Sequence, residues 1–281
     1  MSEYDAPSRV TESELGKVVS YDAHYNPKLL FPIARKTKRE ELGIDSVIPF
    51  TGFDLWTHYE VSWLNQKGKP IVALAEITYP CESAHIIESK SMKLYFNSLN
   101  QTKFKHIDNV KMTIERDLTL GVGMPVQVTL TDLSDATDQV LYARMDGICL
   151  DQLDIACATY VPNPKFLTTK ITPVTETLFS NLLKSNCLIT HQPDWGSIQI
   201  QYQGPQIDHE GLLQYLVSFR NHNEFHEQCI ERIFVDIMTQ CQPQDLVVYG
   251  RYTRRGGLDI NVLRSKMPIT LADVHKRLIR Q

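Results

Sequence analysis

Residues 185–203 read SNCLITHQPDWGSIQIQYQ. Within them Ile198, Ile200 and Tyr202 alternate with Gln199, Gln201 and Gln203, the period of a strand with one face buried and the other in water. A first strand is predicted just before, near 182–190, and the intervening QPDWG carries turn chemistry. Working outward, a helix is predicted over about 208–221, and a second carries Phe225, Cys229, Ile233, Ile237 and Cys241 at helical spacing. Strands at 246–252 and 258–262 follow, so the order is strand, strand, helix, helix, strand, strand.

The N-terminal half shows the same order. Leu55, Tyr59, Val61 and Trp63 fall on alternate positions of one strand, the turn NQKGK spans 65–69, and an apolar strand covers 71–77. Met92, Tyr95, Phe96 and Leu99, then Val110, Ile114 and Leu118 before Gly121, are spaced as two helices. Val126, Val128 and Leu130 alternate again, and a last strand is expected near 140–145. Tandem ββααββ modules imply an α+β fold of antiparallel sheets, each backed by a pair of helices. The expected organisation is an N-terminal extension at 1–50, a first module at 51–148, a linker at 149–178 containing Pro162, Pro164 and Pro173, and a second module at 179–281. A four-stranded sheet has open edges, which commonly pair with another module.

A formal net charge of −4, from 29 basic and 33 acidic residues in 281, argues against a polyanion-binding surface over the whole protein. Direct nucleic-acid binding is therefore not expected. The N-terminus MSEYDAPSRVTES has no apolar core of the kind a secretory signal needs, and no apolar run approaches the ~18 residues of a membrane span. The six cysteines form no CxxC pair and have no regular spacing, which fits reduced thiols in a cytoplasmic protein without a membrane partner.

Cys187 stands at the polar end of its strand, with Ser185 and Asn186 before it and His191 and Asp194 after. A thiolate is the attacking species in nucleophilic catalysis; His191 or Lys184 nearby would raise its population, and Asp194 would be its proton partner. The same residues also read as a small buried hydrophobe and a turn aspartate. His222 and His226 are expected four apart on one helix, but no third ligand of matching pattern accompanies them, so no metal is expected. GVG at 121–123 lacks the third glycine of a dinucleotide fingerprint and precedes a strand. Arg35, Lys36, Lys38 and Arg39 read as a solvated loop, with phosphate contact as the alternative. Cys229 and Cys241 share the apolar face of their helix.

The segments ESKSMKLY (88–95), CLITHQPDWGS (187–197), NEFHEQC (223–229) and YTRRGGLDIN (252–261) together resemble the NADPH-dependent 7-cyano-7-deazaguanine reductases, the nitrile oxidoreductases of queuosine biosynthesis, in their long two-module form. The resemblance runs over most of the chain. It implies the tunnelling fold, whose modules assemble into barrels, and a homodimer. It also implies reduction of 7-cyano-7-deazaguanine to 7-aminomethyl-7-deazaguanine through a covalent thioimide on Cys187, with Asp194 as general acid at a pKa raised by burial.

Substrate contacts implied by the resemblance are Ile87, Glu88, Ser89, His226 and Glu227, the two glutamates accepting N–H donors of the guanine-like face. NADPH is implied at Ser89 and Lys90, at a helix start, and at Arg255 and Gly256, beside Arg254 in a strand turn. The two halves are complementary. FDLWTHYEVSW (53–63) has no cysteine where the second half has Cys187, and IDHEGLLQY (207–215) lacks the signature of 88–95, so one site per chain drawn from both modules is expected. Two other readings are a pterin- or GTP-processing enzyme such as a cyclohydrolase, which would want zinc, and a catalytically silent purine-binding scaffold, in which Cys187 would be dispensable.

Overall fold

A computed structural model describes residues 24–134, 136, 140–271 and 276–281, so most of the N-terminal extension's first half lies outside the described residues. In chain order the elements are β1 (Pro32–Ala34), α1 (Lys36–Glu41), β2 (Thr51–Leu64), β3 (Pro70–Pro80), β4 (His85–Ile87), α2 (Ser89–Leu99), α3 (Ile107–Val122) and β5 (Gln127–Asp132). They continue with β6 (Ile148–Cys149), β7 (Thr169–Asn186), β8 (Pro193–Ile207), α4 (His209–Ser218), α5 (His226–Cys241), β9 (Asp245–Tyr252) and β10 (Leu258–Ser265). The protein is α+β. It divides into two compact units, the first made of Met1–Thr37, Leu55–Asp138 and Arg254–Asp259, the second of Lys38–Asp54, Gln139–Thr253 and Ile260–Gln281.

In the first unit β3 lies between β2 and β5 and runs antiparallel to β5, with Ala75 opposite Leu130. The β2–β3 turn closes as its sequence demands: Asn65 Oδ1 accepts from the amides of Lys67 and Lys69, and Gly68 takes φ +83°. Ala73, Ala75, Ile77 and Tyr79 point into the core at no more than 1% exposure, as strand alternation requires. The buried stripe of α3 runs Val110, Ile114, Leu118, Val122, and Gly123 ends the helix in the left-handed conformation. Asp117 shares that buried face because the hydroxyls of Tyr25 and Tyr95 donate to it, at 2.7 and 2.8 Å. Along β2, Phe53 to His58 is buried continuously, so alternation fails there and His58 is an interior residue.

In the second unit the strand order is β10-β9-β8-β7-β6. The alternation of β8 is realised: Ile198, Ile200 and Tyr202 are buried, while Gln201 and Gln203 are exposed. Its helices bring Leu212, Leu213 and Leu216 from α4, and Cys229, Ile233, Ile237 and Cys241 from α5, into the core. A charge network is buried beside α5. Arg39 forks onto Glu231 at 2.9 and 2.7 Å, and Arg264 bonds both Glu231 Oε1 and Asp54 Oδ1 at 2.8 Å.

Four expectations need correction. The strand near 140–145 is absent; Tyr142 makes only an isolated bridge to Leu278, and the strand that forms is β6, parallel to β7. Gly147 permits this, since it has φ +107° and a Cβ there would overlap the Thr177 carbonyl. Next, β7 begins at Thr169, inside the expected linker; exposed residues and Pro173, which sits at a register irregularity, hide its period. His222 precedes α5, so it does not share a helix with His226. Finally, Arg35 and Arg39 are buried, not solvated: Arg35 donates to Ser83 Oγ and Arg39 belongs to the network above.

Candidate active site

Cys187 closes the end of the β7–β8 pair. Asn186 lies opposite Pro193 and Ser185 opposite Asp194, so the strand register carries Asp194 back alongside the cysteine segment. The turn between them is held by Cys187 N–H donating to Gln192 O at 2.9 Å and His191 N–H donating to Cys187 O at 3.1 Å. His191 is exposed at φ +56° on this turn. The Lys184 ammonium donates to Asn186 Oδ1 and Arg220 O, each at 2.6 Å, and burial with the nearby Arg220 charge lowers its pKa. Lys184 is therefore directed at those oxygens. Cys187 and Asp194 are 6% and 7% exposed, screened from bulk water yet within reach of it.

The segment before α5 is laced to the residue preceding the cysteine. Asn186 N–H donates to His222 O at 2.8 Å, and Glu224 N–H donates to Asn186 O at 3.1 Å. This places the first turn of α5, with His226 and Glu227, beside the β8 end; His226 Nε2 lies 3.8 Å from Asp194 Oδ1, and Glu227 is buried. Glu224 locks the arrangement from inside. It takes Arg232 in a fork at 3.1 and 2.7 Å and His222 Nε2 at 2.9 Å. Burial alone would raise the Glu224 pKa, but the hydrogen bonds from His222 and Arg232 outweigh it and hold the carboxyl at about 2. Sequence reading missed Glu224. Its signal was an acid directly ahead of an apolar N-cap, with an arginine further along the same helix.

A second group of expected residues sits in the first unit, at the start of α2. Glu88 is fully buried and caps the helix: Oε1 accepts from Lys90 N–H at 2.7 Å and Oε2 from Ser91 N–H at 2.8 Å. Burial raises its pKa, opposed by those same two amides and by Lys93 and Lys90. Ile87 is buried at the end of β4, whereas Ser89 and Lys90 are partly exposed in the first helical turn. Gly256 and Gly257 follow at φ +63° and +79°; a Cβ on Gly256 would stand 3.0 Å from Lys93 Cε and Nζ, and one on Gly257 would run into the Glu60 carboxylate. The Arg255–Gly256 turn thus lies against α2. Arg254 places its guanidinium 4.5 Å from the centre of the Tyr59 ring, and Tyr59 donates to Asp259 at 2.5 Å. His58, also missed, packs edge-on to Phe96, and burial followed by the Lys93 charge lowers its pKa to about 4.

Among the described residues, no group of three or more His, Cys, Asp and Glu is arranged to hold a metal ion, and no helix is long and apolar enough to cross a membrane. Residues 21–130 match the family described as "Nitrile reductase, 7-cyano-7-deazaguanine-reductase N-term", and 193–269 match "QueF-like protein". The chain is 59% identical over 271 residues to the NADPH-dependent 7-cyano-7-deazaguanine reductase of Legionella pneumophila (strain Corby), covering 96% of this chain and 95% of that one. The chain belongs to the 7-cyano-7-deazaguanine reductase family. Proteins of the same name from Acidovorax ebreus (strain TPSY) and Chromobacterium violaceum are 56% and 55% identical, covering 92% and 90% of this chain and 95% and 91% of theirs. Within this reductase family member, Cys187, Asp194, His226 and Glu227 form one group in the second unit. Ile87, Glu88, Ser89, Lys90, Arg255 and Gly256 form another in the first.

Proposed function

We propose that this chain reduces 7-cyano-7-deazaguanine to 7-aminomethyl-7-deazaguanine at Cys187, the nitrile-reducing step in making the queuosine precursor. It is an NADPH-dependent nitrile oxidoreductase, in keeping with the names of its relatives. One observation carries the mechanism: a screened cysteine on a hydrogen-bonded turn, with Asp194, His226 and Glu227 brought to the same end of the sheet.

The Cys187 thiolate attacks the nitrile carbon, forming a C–S bond and converting C≡N to C=N as Asp194 protonates the nitrogen. When bound, NADPH supplies the two hydrides, one to the thioimide carbon and one to the imine that succeeds it. Between those additions the C–S bond breaks and the electron pair returns to sulfur. His226, beside Asp194, hands a proton to the imine nitrogen. Glu227 accepts N–H donors of the base, and Ile87, Glu88 and Ser89 are further substrate contacts.

The residues proposed for NADPH suit a dinucleotide. Ser89 stands at the first position of α2 and Lys90 brings its ammonium, the Lys90 amide itself being capped by Glu88. Two glycines at positive φ let backbone approach phosphate beside Lys93, Arg254 and Arg255. The reading also carries the tunnelling fold in two modules, 51–148 and 179–281, a homodimer and a cytoplasmic setting.

The test is NADPH oxidation by the purified protein with the nitrile, product being quantified, alongside Cys187→Ala. Two NADPH consumed per amine, and none by a variant that still binds substrate, is the expected result. Reduction by Cys187→Ala would overturn the covalent route, and no oxidation by folded wild type would favour a binding protein.

A further inference from the structure

We propose that Tyr252 is a positioning residue whose ring sets the distance between His226 and Asp194, an inference that rests on the reading of this site given above. Asp194 and Gly196 are alternate residues of β8 and share one face. Tyr252, the last residue of β9, lies directly opposite Gly196 in the antiparallel ladder. A Cβ on Gly196 would stand 3.3 Å from both Cδ1 and Cε1 of Tyr252, so the ring lies over the space that glycine leaves. The His226 imidazole meets the same ring edge-to-face, with centroids 4.1 Å apart and planes at 83°.

One ring therefore touches both the strand that carries Asp194 and the first turn of α5. Tyr252 is 1% exposed, and close-packed interiors transmit small displacements instead of absorbing them. The N-cap residue of α5, Phe225, makes no side-chain capping bond, so it does not lock the His226 turn. The Tyr252 hydroxyl lies beside the buried Cys229 thiol, whereas the ring is what meets His226 and Gly196. The ring, not the hydroxyl, holds the spacing. YTRRGG begins with this residue, and its first member thus serves the Asp194 end of the site.

The experiment compares Tyr252→Phe, Tyr252→Leu and Tyr252→Leu combined with His226→Ala in the full-length protein. NMR reports the ring-current shift of the His226 imidazole protons. Steady-state kinetics separate kcat from KM, and intact mass reports the Cys187 adduct formed with the nitrile alone. Expected is retention of the shift and of kcat to within about 2-fold in Tyr252→Phe, against loss of the shift and about 10²-fold lower kcat at similar KM in Tyr252→Leu. The adduct still forms in both, and Tyr252→Leu adds no further loss once His226 is alanine. Equal impairment of Phe and Leu variants, equal health of both, or full additivity with His226→Ala overturns the proposal. If Tyr252→Leu fails to fold, Gly196→Ala replaces it: the new methyl presses the same ring, and an unchanged His226 shift and kcat would count against the idea. A wild type that forms no adduct and turns nothing over would instead sink the reading of the site, while the NMR shifts would still decide the role of the ring.

Discussion

His226 Nε2 stands 3.8 Å from Asp194 Oδ1, a carboxyl and an imidazole facing each other at the end of β8, beside the turn that holds Cys187. The gap exceeds a hydrogen bond but lies well within coulombic reach. Asp194→Asn keeps the shape and removes the acid. Its kcat is expected to fall by about 10²–10⁴-fold while substrate still binds. Stopped-flow NADPH oxidation with a separate binding titration checks this, and wild-type turnover by the variant would remove Asp194 from the proton path.

Glu88 has two jobs that one substitution separates. Its carboxylate caps α2 through both oxygens, and it is proposed to hold the substrate base. Glu88→Ser retains a good N-cap but not the second oxygen, so Tm should hold while KM rises about 10- to 100-fold. Glu88→Ala should lose about 1 kcal/mol as well. A Ser variant with unchanged KM would leave the residue a helix cap only.

The acid limb of stability should bear the mark of His58. Its folded pKa is about 4 against an ordinary 6.5, because burial and then Lys93 oppose the charged form. Between those values the unfolded chain binds the extra proton. Stability is therefore full above pH 6.5 and drops by about 3 kcal/mol as pH falls to about 4. Urea midpoints across that range, compared with His58→Gln, measure it; parallel curves would show the histidine to be silent.

Glu224 acts lower on the scale. With a folded pKa of about 2 against 4.5, it contributes stability present above 4.5 and lost as pH falls toward 2, about 3 kcal/mol in all. Glu224→Gln should flatten that window and loosen the His226 turn, lowering kcat more than KM. Thermal melts from pH 2 to 6 with kinetics at neutral pH test both parts.

Within the buried network, Glu231→Ala is expected to destabilise by about 3–5 kcal/mol, since it strips Arg39 and Arg264 of a shared carboxylate. Arg39→Ala should cost less, because Glu231 keeps Arg264. Equal losses in denaturant titrations would contradict this ranking.

What could be read without coordinates was local. The apolar alternation of Ile198, Ile200 and Tyr202, the α5 stripe from Cys229 to Cys241 and the NQKGK turn are written within a few residues of themselves, and each appears where expected. The strand at 140–145 and the start of β7 were misread because glycine, proline and exposed residues mask period where a strand's partner, not its own pattern, defines it. Burial of Arg39 and His58 was likewise invisible, since a charged or polar side chain goes inside only when a distant residue such as Glu231 or Phe96 meets it there. The sequence by itself determined most of the elements and marked the segments proposed to bear the chemistry. Only the tertiary structure decided that Asn186 binds the 222–224 segment, that Tyr252 crosses Gly196 and that His226 faces Asp194, because strand register and helix docking are set by contacts between residues far apart in the chain.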